Sequence, residues 1–460
     1  MRIKLEYELD IEEIVAATSA SNSSITGKIN HICTNSKECC PNDLFFALNG
    51  EHYSGDDFLT EAISNGAIPL TSKEGYYGIH VKDAKHALLD LSEYYLSRFD
   101  NLKEIICITG SVGKTTTKEF LYTLLKDSLI TYATIKNYNN EIGVPLTVFS
   151  APRQCEVMIL EFGTNRTGEI ANLSKHIHPT LSIITNIGTS HIGNFGSKEI
   201  IAKEKSEILT GMQKPMLITE YGESLLDSIT EKQTVSCQSP SADYFLLPIK
   251  EDITGSTFDF FCDKGMLTGV RFNIAGRHML SALALAISAA FSIGLSEKDV
   301  ESAISKIGYS QIRHSFIKIN DYYILDDSYN SSRESVFADI QLLKYYKTNN
   351  LSALFGDILE LGNNTEKIHR EIGAFAYKSG IERLYLFGEH SRFTKIGAMD
   401  AGMSPNMIHL NTDVNNPYAT AMDIINYHKP GDIILFKASH KINLGRIIEI
   451  LKAKERNYDA

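Results

Sequence analysis

The sequence predicts an α/β chain of three consecutive domains. Short apolar runs alternate with longer helical patterns from about residue 104 onward, as expected for strands joined by crossover helices in largely parallel sheets. A polar stretch, Asp100-Asn101-Leu102-Lys103, interrupts the chain just before that alternation begins. The length of 460 residues fits roughly three domains of about 150 residues each. The expected layout is a small α/β N-terminal domain over 1–99, a central domain with a mostly parallel sheet over 100–312, and a C-terminal Rossmann-like open α/β domain over 313–460.

In the first domain, Asp43-Leu44-Phe45-Phe46-Ala47-Leu48 reads as a strand running into the turn Asn49-Gly50. Residues 58–63 look helical and are closed by Asn65-Gly66. Residues 84–99 read as an amphipathic helix, with Ala87, Leu88, Leu91, Tyr94, Tyr95 and Phe99 at helical spacing. The central domain offers three buried strands at 104–109, 157–161 and 181–186, a helix over 198–209 and an Ala-rich helix over 280–293. In the last domain, 323–327, 351–355, 384–387 and 433–436 read as four strands with helices between them. Ligands of such sheets bind beyond the C-terminal strand ends, so informative residues are expected just after these strands.

Acidic residues outnumber basic ones by 56 to 45, a formal charge of −11. A nucleic-acid partner is not expected, because non-specific binding requires a basic surface. The seven cysteines (Cys33, Cys39, Cys40, Cys107, Cys155, Cys237 and Cys262) form no C-x-x-C pair, so neither a disulfide framework nor a zinc site is indicated. A reducing, cytoplasmic setting fits that usage. The charged opening Met1-Arg2-Ile3-Lys4-Leu5-Glu6 does not resemble a signal peptide, and no apolar run is long enough to predict a membrane span.

The strongest chemical signal is Ile108-Thr109-Gly110-Ser111-Val112-Gly113-Lys114-Thr115-Thr116. It follows a strand and opens a helix, the setting a phosphate-binding loop requires. Backbone N–H groups of Gly110, Ser111, Val112 and Gly113 and the helix N-terminus can cradle phosphate oxygens. Lys114 would reach the β- and γ-phosphates, Thr115 would offer a hydroxyl to Mg²⁺, and Thr116 continues the threonine run. The loop is the short G-x-x-G-K-T variety, since position 108 is Ile. The competing reading is a glycine turn capping a helix. Glu161 ends a strand, where a carboxylate can hold a hard cation or merely face solvent. His191 follows another strand, in Thr185-Asn186-Ile187-Gly188-Thr189-Ser190-His191. Lys203 and Lys205 lie on the 198–209 helix, where a solvated charged face is the plain alternative.

That loop and four further stretches resemble the ATP-dependent Mur ligase family over almost the whole chain and in the right order. They are Asp43-Leu44-Phe45-Phe46-Ala47-Leu48-Asn49-Gly50, Asn137-Tyr138-Asn139-Asn140-Glu141-Ile142-Gly143-Val144-Pro145-Leu146-Thr147, Asp327-Ser328-Tyr329-Asn330 and Gly356-Asp357-Ile358-Leu359-Glu360-Leu361-Gly362. The resemblance implies that Thr115 and Glu161 hold one Mg²⁺ and that His191 is a ligand of a second. It implies a CO₂-derived carbamate on a helix lysine that also binds metal; Lys205 is the matching position and Lys203 the alternative. Lys114, Lys205 and His191 are then the catalytic set. Arg313 and Asp327 would contact ATP, Asn330 would lie at the nucleotide, and Ser36, Asn139 and Asn140 would bind substrate.

The implied reaction is ADP-forming amide ligation through an acyl phosphate. The implied substrates are a UDP-linked muramoyl tripeptide and D-alanyl-D-alanine, and the protein is expected to act as a cytoplasmic monomer in peptidoglycan synthesis. Several positions depart from the family's usual pattern. Gly276-Arg277-His278-Met279-Leu280-Ser281-Ala282 lacks both customary amides, and Asn35-Ser36-Lys37, Ser54-Gly55-Asp56, Ser331-Ser332-Arg333 and Lys437-Ala438-Ser439-His440 also differ. Those departures keep open a divergent paralogue that joins another acid and amine in glycan or secondary metabolism. Folylpolyglutamate synthase shares the short loop, and a non-catalytic nucleotide binder is a third reading. The uridine-type first domain weighs against the former, and the full set of phosphate and metal residues weighs against the latter.

Overall fold

A computed structural model describes residues 1–21, 25–50, 52–309, 315–346 and 351–455. Among them the strands form three sheets, built in turn from the N-terminal, central and C-terminal parts of the chain. Arg313 lies outside the described residues, as does the expected boundary at 312/313.

The first sheet has five strands, ordered Arg2–Asp10, Lys28–Cys33, Leu44–Phe46, Ile68–Thr71 and Ile79–His80. Only its first pair is antiparallel. In Arg2–Asp10 the side chains of Ile3, Leu5, Tyr7 and Leu9 are buried and their neighbours exposed, the period of two that a half-covered strand requires. Helix Ala84–Leu96 covers the sheet, and Asp83 starts it by accepting the backbone N–H of His86 at 2.8 Å. Near the end of this helix, Tyr95 accepts the N–H groups of Glu6 and Tyr7 and packs edge-on against Phe149 of helix Gly143–Phe149. The N-terminal sheet is thereby fastened to the central part of the chain.

The central sheet has nine strands. Its parallel part runs Lys232–Ser236, Leu217–Glu220, Leu181–Ile184, Glu104–Thr109, Val157–Glu161 and Thr131–Ala133. Strands such as Val157–Glu161 are buried along their full length because helices cover both faces. Tyr244–Asp252, Gly255–Cys262 and Gly265–Phe272 extend the sheet at one edge; the last two join by antiparallel pairing, an extension the sequence did not announce. The Ala-rich helix begins earlier than expected, at Arg277, and runs to Ser292. Its small side chains let it pack closely against helix Lys114–Leu125.

The third sheet orders Ser315–Ile319, Tyr322–Asp326, Ile433–Lys437, Leu351–Gly356, Arg383–Phe387 and Ile408–Asn411. It is parallel apart from its first pair. Four of these strands match the expected ones within a residue or so. The two edge strands were not expected, because an edge is half-solvated and lacks the continuous apolar run of an inner strand. Several ends were also read too long: the strand expected over 43–48 is Leu44–Phe46, the helix expected over 84–99 ends at Leu96, Leu181–Ile184 stops before Thr185, and helix Lys198–Ser206 tightens into a 3-10 turn at Glu207–Leu209.

Candidate active site

The phosphate loop sits where strand Glu104–Thr109 gives way to helix Lys114–Leu125. Gly110 and Gly113 have φ of +148° and +85°, values that a side chain would strain. A Cβ on Gly110 would stand 1.8 Å from Thr185 Oγ1. The loop is locked onto the end of the neighbouring strand. The Ser111 and Val112 N–H groups donate to the backbone and side-chain oxygens of Asn186 (3.1 and 3.0 Å), and Asn186 Nδ2 donates back to the Val112 carbonyl (3.0 Å). Lys114 folds over the turn and donates to the Gly110 carbonyl at 2.7 Å.

Glu161 ends the adjacent strand and is 2% exposed. Its Oε2 accepts from the Thr115 hydroxyl at 2.8 Å and its Oε1 from Asn139 Nδ2 at 2.9 Å. A buried carboxylate and a hydroxyl are thus brought together at the mouth of the phosphate loop, the hard oxygen donors that Mg²⁺ prefers. Asn140 turns its Oδ1 to the N–H groups of Ile142 and Gly143 (3.2 and 2.8 Å) and starts helix Gly143–Phe149. Both asparagines line the cavity described below. Their structural tasks are holding Glu161 and starting a helix, beside the substrate role expected of them.

His191 adopts a left-handed backbone with φ +59°. Its Nδ1 meets the carboxylate of Glu360, which comes from the third sheet. The backbone adds a second tie there, Gly193 N–H to the Glu360 carbonyl at 2.8 Å. Burial lowers the His191 pKa below the ordinary range, and the charges of Lys114 and Lys205 act in the same direction against Glu360. A neutral ring that donates from Nδ1 to a carboxylate leaves Nε2 with a lone pair, the arrangement of a metal-ligating histidine.

Helix Lys198–Ser206 turns Lys205 inward and Lys203 outward. Lys205 is 5% exposed, and no described residue offers its Nζ a hydrogen bond or an ion pair. Burial drives its pKa well below the lysine range, Lys114 pushes the same way, and Glu204 opposes them only in part. Glu204 is itself occupied at the start of helix Glu169–Ile177, accepting from the Gly168 and Ile170 N–H groups (2.6 and 3.0 Å).

The third sheet closes the far wall. Asp327 follows strand Tyr322–Asp326 and pairs with Lys437, which also reaches Asp339 at 2.8 Å. Lys437 is buried, and the two carboxylates hold its pKa above the ordinary range. Glu334 accepts from the Thr189 N–H and hydroxyl (3.1 and 2.9 Å), a further bridge between the sheets. These groups surround a cavity of about 660 Å³ whose walls include Ser111 to Thr117, Glu161, His191, Lys205, Asp327 and Asn330. Ser36 is not among them; it is buried in the N-terminal part, with its hydroxyl on Glu61 at 2.5 Å.

Several residues of the site escaped the sequence as individual candidates, Glu334 and Asp339 among them. Glu360 was visible only as part of a signature, and Lys437 only as part of a departure. Glu220 gave no signal at all. It ends strand Leu217–Glu220 two strands from the phosphate loop and lines the cavity with Met279 and Ala282, at the positions that lack the family's amides. Burial raises its carboxyl to about 7, and Glu223 adds to the shift.

Comparison with known proteins accounts for this combination. The family described as Mur ligase middle domain matches residues 108–290, and the family described as Mur ligase, glutamate ligase domain, matches residues 312–440. The UDP-N-acetylmuramoyl-tripeptide–D-alanyl-D-alanine ligase of Bacillus subtilis is 31% identical over 96% of this chain and 97% of its own length. The chain belongs to the Mur ligase family. The Synechocystis ligase of the same name is 29% identical over 95% of each chain. Among solved structures, MurF from Acinetobacter baumannii superposes with a TM-score of 0.87 at 24% identity, covering 98% of this chain and all of that one. MurF from Thermotoga maritima, solved in complex with ADP, gives 0.80 at 25% identity and covers 93% and 98%. The three-sheet architecture is therefore that of a Mur ligase from end to end. Among the described residues no helix is long and apolar enough to cross a membrane.

Proposed function

We propose that this chain is an ADP-forming ligase that joins D-alanyl-D-alanine to UDP-N-acetylmuramoyl tripeptide through an acyl phosphate, acting as a cytoplasmic monomer in peptidoglycan synthesis. The observation that carries the reading is the single cavity onto which the phosphate loop, Glu161, His191 and Lys205 converge from one sheet and Asp327 and Asn330 from another. The near full-length likeness to ligases of that name supports the choice of acid and amine. In this reading residues 1–99 take the uridine nucleotide, 100–312 the ATP and 313–460 the amine.

The phosphate loop binds the triphosphate through the N–H groups at the helix start from Gly113 onward, those of Ser111 and Val112 being engaged by Asn186, and the Lys114 ammonium moves from the Gly110 carbonyl to the γ-phosphate. Arg313, Asp327 and Asn330 attend the nucleotide from the C-terminal side. A carboxylate oxygen of the acid attacks the γ-phosphorus, the bond to the β-bridging oxygen breaks, and ADP leaves. The amine of D-alanyl-D-alanine then attacks the acyl carbon, loses a proton, and expels inorganic phosphate as the amide forms. Positioning and charge stabilisation supply most of the acceleration in such phosphoryl transfers. The contacts of Glu360 and Glu334 with the 188–193 loop tie the two walls together, and closure around bound substrates would exclude water from the acyl phosphate.

Mg²⁺ ions, when bound, would neutralise the crowded phosphate oxygens, with Thr115 and Glu161 holding one and His191 with Lys205 another. Lys205 suits that task only as an anion. Burial lowers the pKa of its amine, and in the neutral form that amine can attack the carbon of CO₂ and release a proton, leaving a carbamate with two oxygen donors.

The reading is tested by ADP release from UDP-N-acetylmuramoyl tripeptide, ATP and Mg²⁺ with and without D-alanyl-D-alanine. Release that requires both acid and amine is expected. Turnover only with a different acid–amine pair would assign the chain to a paralogous ligase.

A further inference from the structure

A second cluster of ligating side chains lies where helix Glu169–Ile177 meets helix Ala84–Leu96 of the N-terminal part, and none of its members lines the catalytic cavity. His86 and Asp90 stand one turn apart on that helix, and His176 reaches them from the other. His176 Nε2 is 3.3 Å from Asp90 Oδ1, and His86 Nε2 is 3.6 Å from the same oxygen. All three ligand atoms lie within 4.8 Å of one another, and among the described residues no other trio of His, Cys, Asp or Glu meets that condition.

We propose that His86, Asp90 and His176 form a Zn²⁺-type site that clamps the N-terminal helix to the central part of the chain. Three features of the geometry carry it. In a tetrahedral zinc site with bonds of about 2.0–2.1 Å, neighbouring ligand atoms stand roughly 3.3 Å apart. The His176 contact to Asp90, at 3.3 Å, matches that edge, and the His86 contact, at 3.6 Å, is slightly longer than it. His176 is already oriented as a ligand: its Nδ1 meets the Asn172 carbonyl at 2.7 Å, so the ring presents Nε2 to the cluster. The pair at i and i+4 places two donors on one helix face, while the third comes from a different helix, so the ion would cross-link the two.

The donor set selects the metal class. Two imidazoles and one carboxylate suit zinc and its transition-metal neighbours, whereas Mg²⁺ and Ca²⁺ favour all-oxygen shells. His86 is 59% exposed, which leaves an entry path and room for water as a fourth ligand. The proposal stands on these side chains alone and is independent of the substrates assigned above.

The test uses the full chain after chelator treatment. Calorimetric titration with Zn²⁺ alone, and with Co²⁺ alone while following its visible absorption, should give one saturable site per chain, with the intense band of four-coordinate cobalt. Zn²⁺ should raise the thermal midpoint by a few degrees. His86→Ala leaves the helix cap intact, because Asp83 binds the His86 backbone. It and Asp90→Asn should each weaken binding at least about tenfold and remove the thermal shift, with Mg²⁺-dependent ADP release unchanged. Absence of a one-to-one site, or a site of unaltered affinity in both variants, would overturn the proposal.

Discussion

Glu360 holds the ring of His191 from 169 residues away in the chain, reaching it from the loop that follows strand Leu351–Gly356 of the third sheet. This contact orients the His191 ring and joins the two walls at once. Glu360→Gln keeps the shape but removes the charge that orients the imidazole. The expected outcome is a turnover number lowered about 10- to 100-fold with a smaller change in KM for ATP, since comparable outer partners of metal-binding histidines carry that much. Steady-state ADP release measures it; an unchanged turnover number would deny Glu360 the role.

Lys205 and Lys203 separate the two readings of their helix. Lys205→Ala should reduce ADP release at least about 100-fold, the scale of losing one group that stabilises transferring charge. Acetate or formate should restore part of it by supplying the missing carboxylate. Lys203→Ala, on the exposed side, should stay within about twofold of the parent. Mass spectrometry under CO₂ should find the added carboxyl on Lys205 and not on Lys203.

Glu220 should make stability depend on pH in a predictable direction. Its carboxyl titrates at about 7 in the folded chain against an ordinary 4.5. Between those values the folded state keeps a proton that the unfolded chain has released, so stability falls as pH rises through the window. Glu220→Gln fixes the neutral form. The variant should match the parent near pH 5 and exceed it near pH 8, by up to about 3 kcal/mol at roughly 1.4 kcal/mol per pKa unit. Thermal melts at the two pH values test the sign; a parent that gains on the variant with rising pH would refute it.

Lys437 is the buried cation between Asp327 and Asp339. Lys437→Met leaves two carboxylates in a site with no compensating charge from that position. A loss of about 3–5 kcal/mol in stability is expected, the usual cost of removing one partner from a buried ion pair. Denaturant unfolding of the variant measures it, and a loss below about 1 kcal/mol would contradict the account.

The sequence made the phosphate loop legible because its chemistry is local: strand, glycines, lysine and threonines lie within ten positions and need no partner to be recognised. The inner parallel strands were legible for a similar reason, since covering both faces leaves an unbroken apolar run. Arg2–Asp10 alternates just as regularly, yet every second position is charged, so it lacks the unbroken apolar run that marks an inner strand. The partners of the site were hidden for the opposite reason. Glu360, Lys437 and Glu220 acquire their roles from residues far away in sequence, and nothing near them marks the meeting. The helix register of Lys205 over Lys203 likewise needed the packing of Lys198–Ser206, because the pattern of charges alone reads as a solvated face.

The central claim is that a carboxylate oxygen of the acid attacks the γ-phosphate of ATP on the loop Gly110 to Thr116. Labelling the terminal carboxylate of UDP-N-acetylmuramoyl tripeptide with ¹⁸O tests it directly. With ATP, Mg²⁺ and D-alanyl-D-alanine, the oxygen that attacks phosphorus departs with the phosphate when the amine displaces it. Mass spectrometry of the products should find one ¹⁸O in each inorganic phosphate, the other in the new amide, and ADP as the nucleotide, with Lys114→Ala yielding almost none of these. Unlabelled phosphate, or AMP with labelled oxygen, would contradict the mechanism.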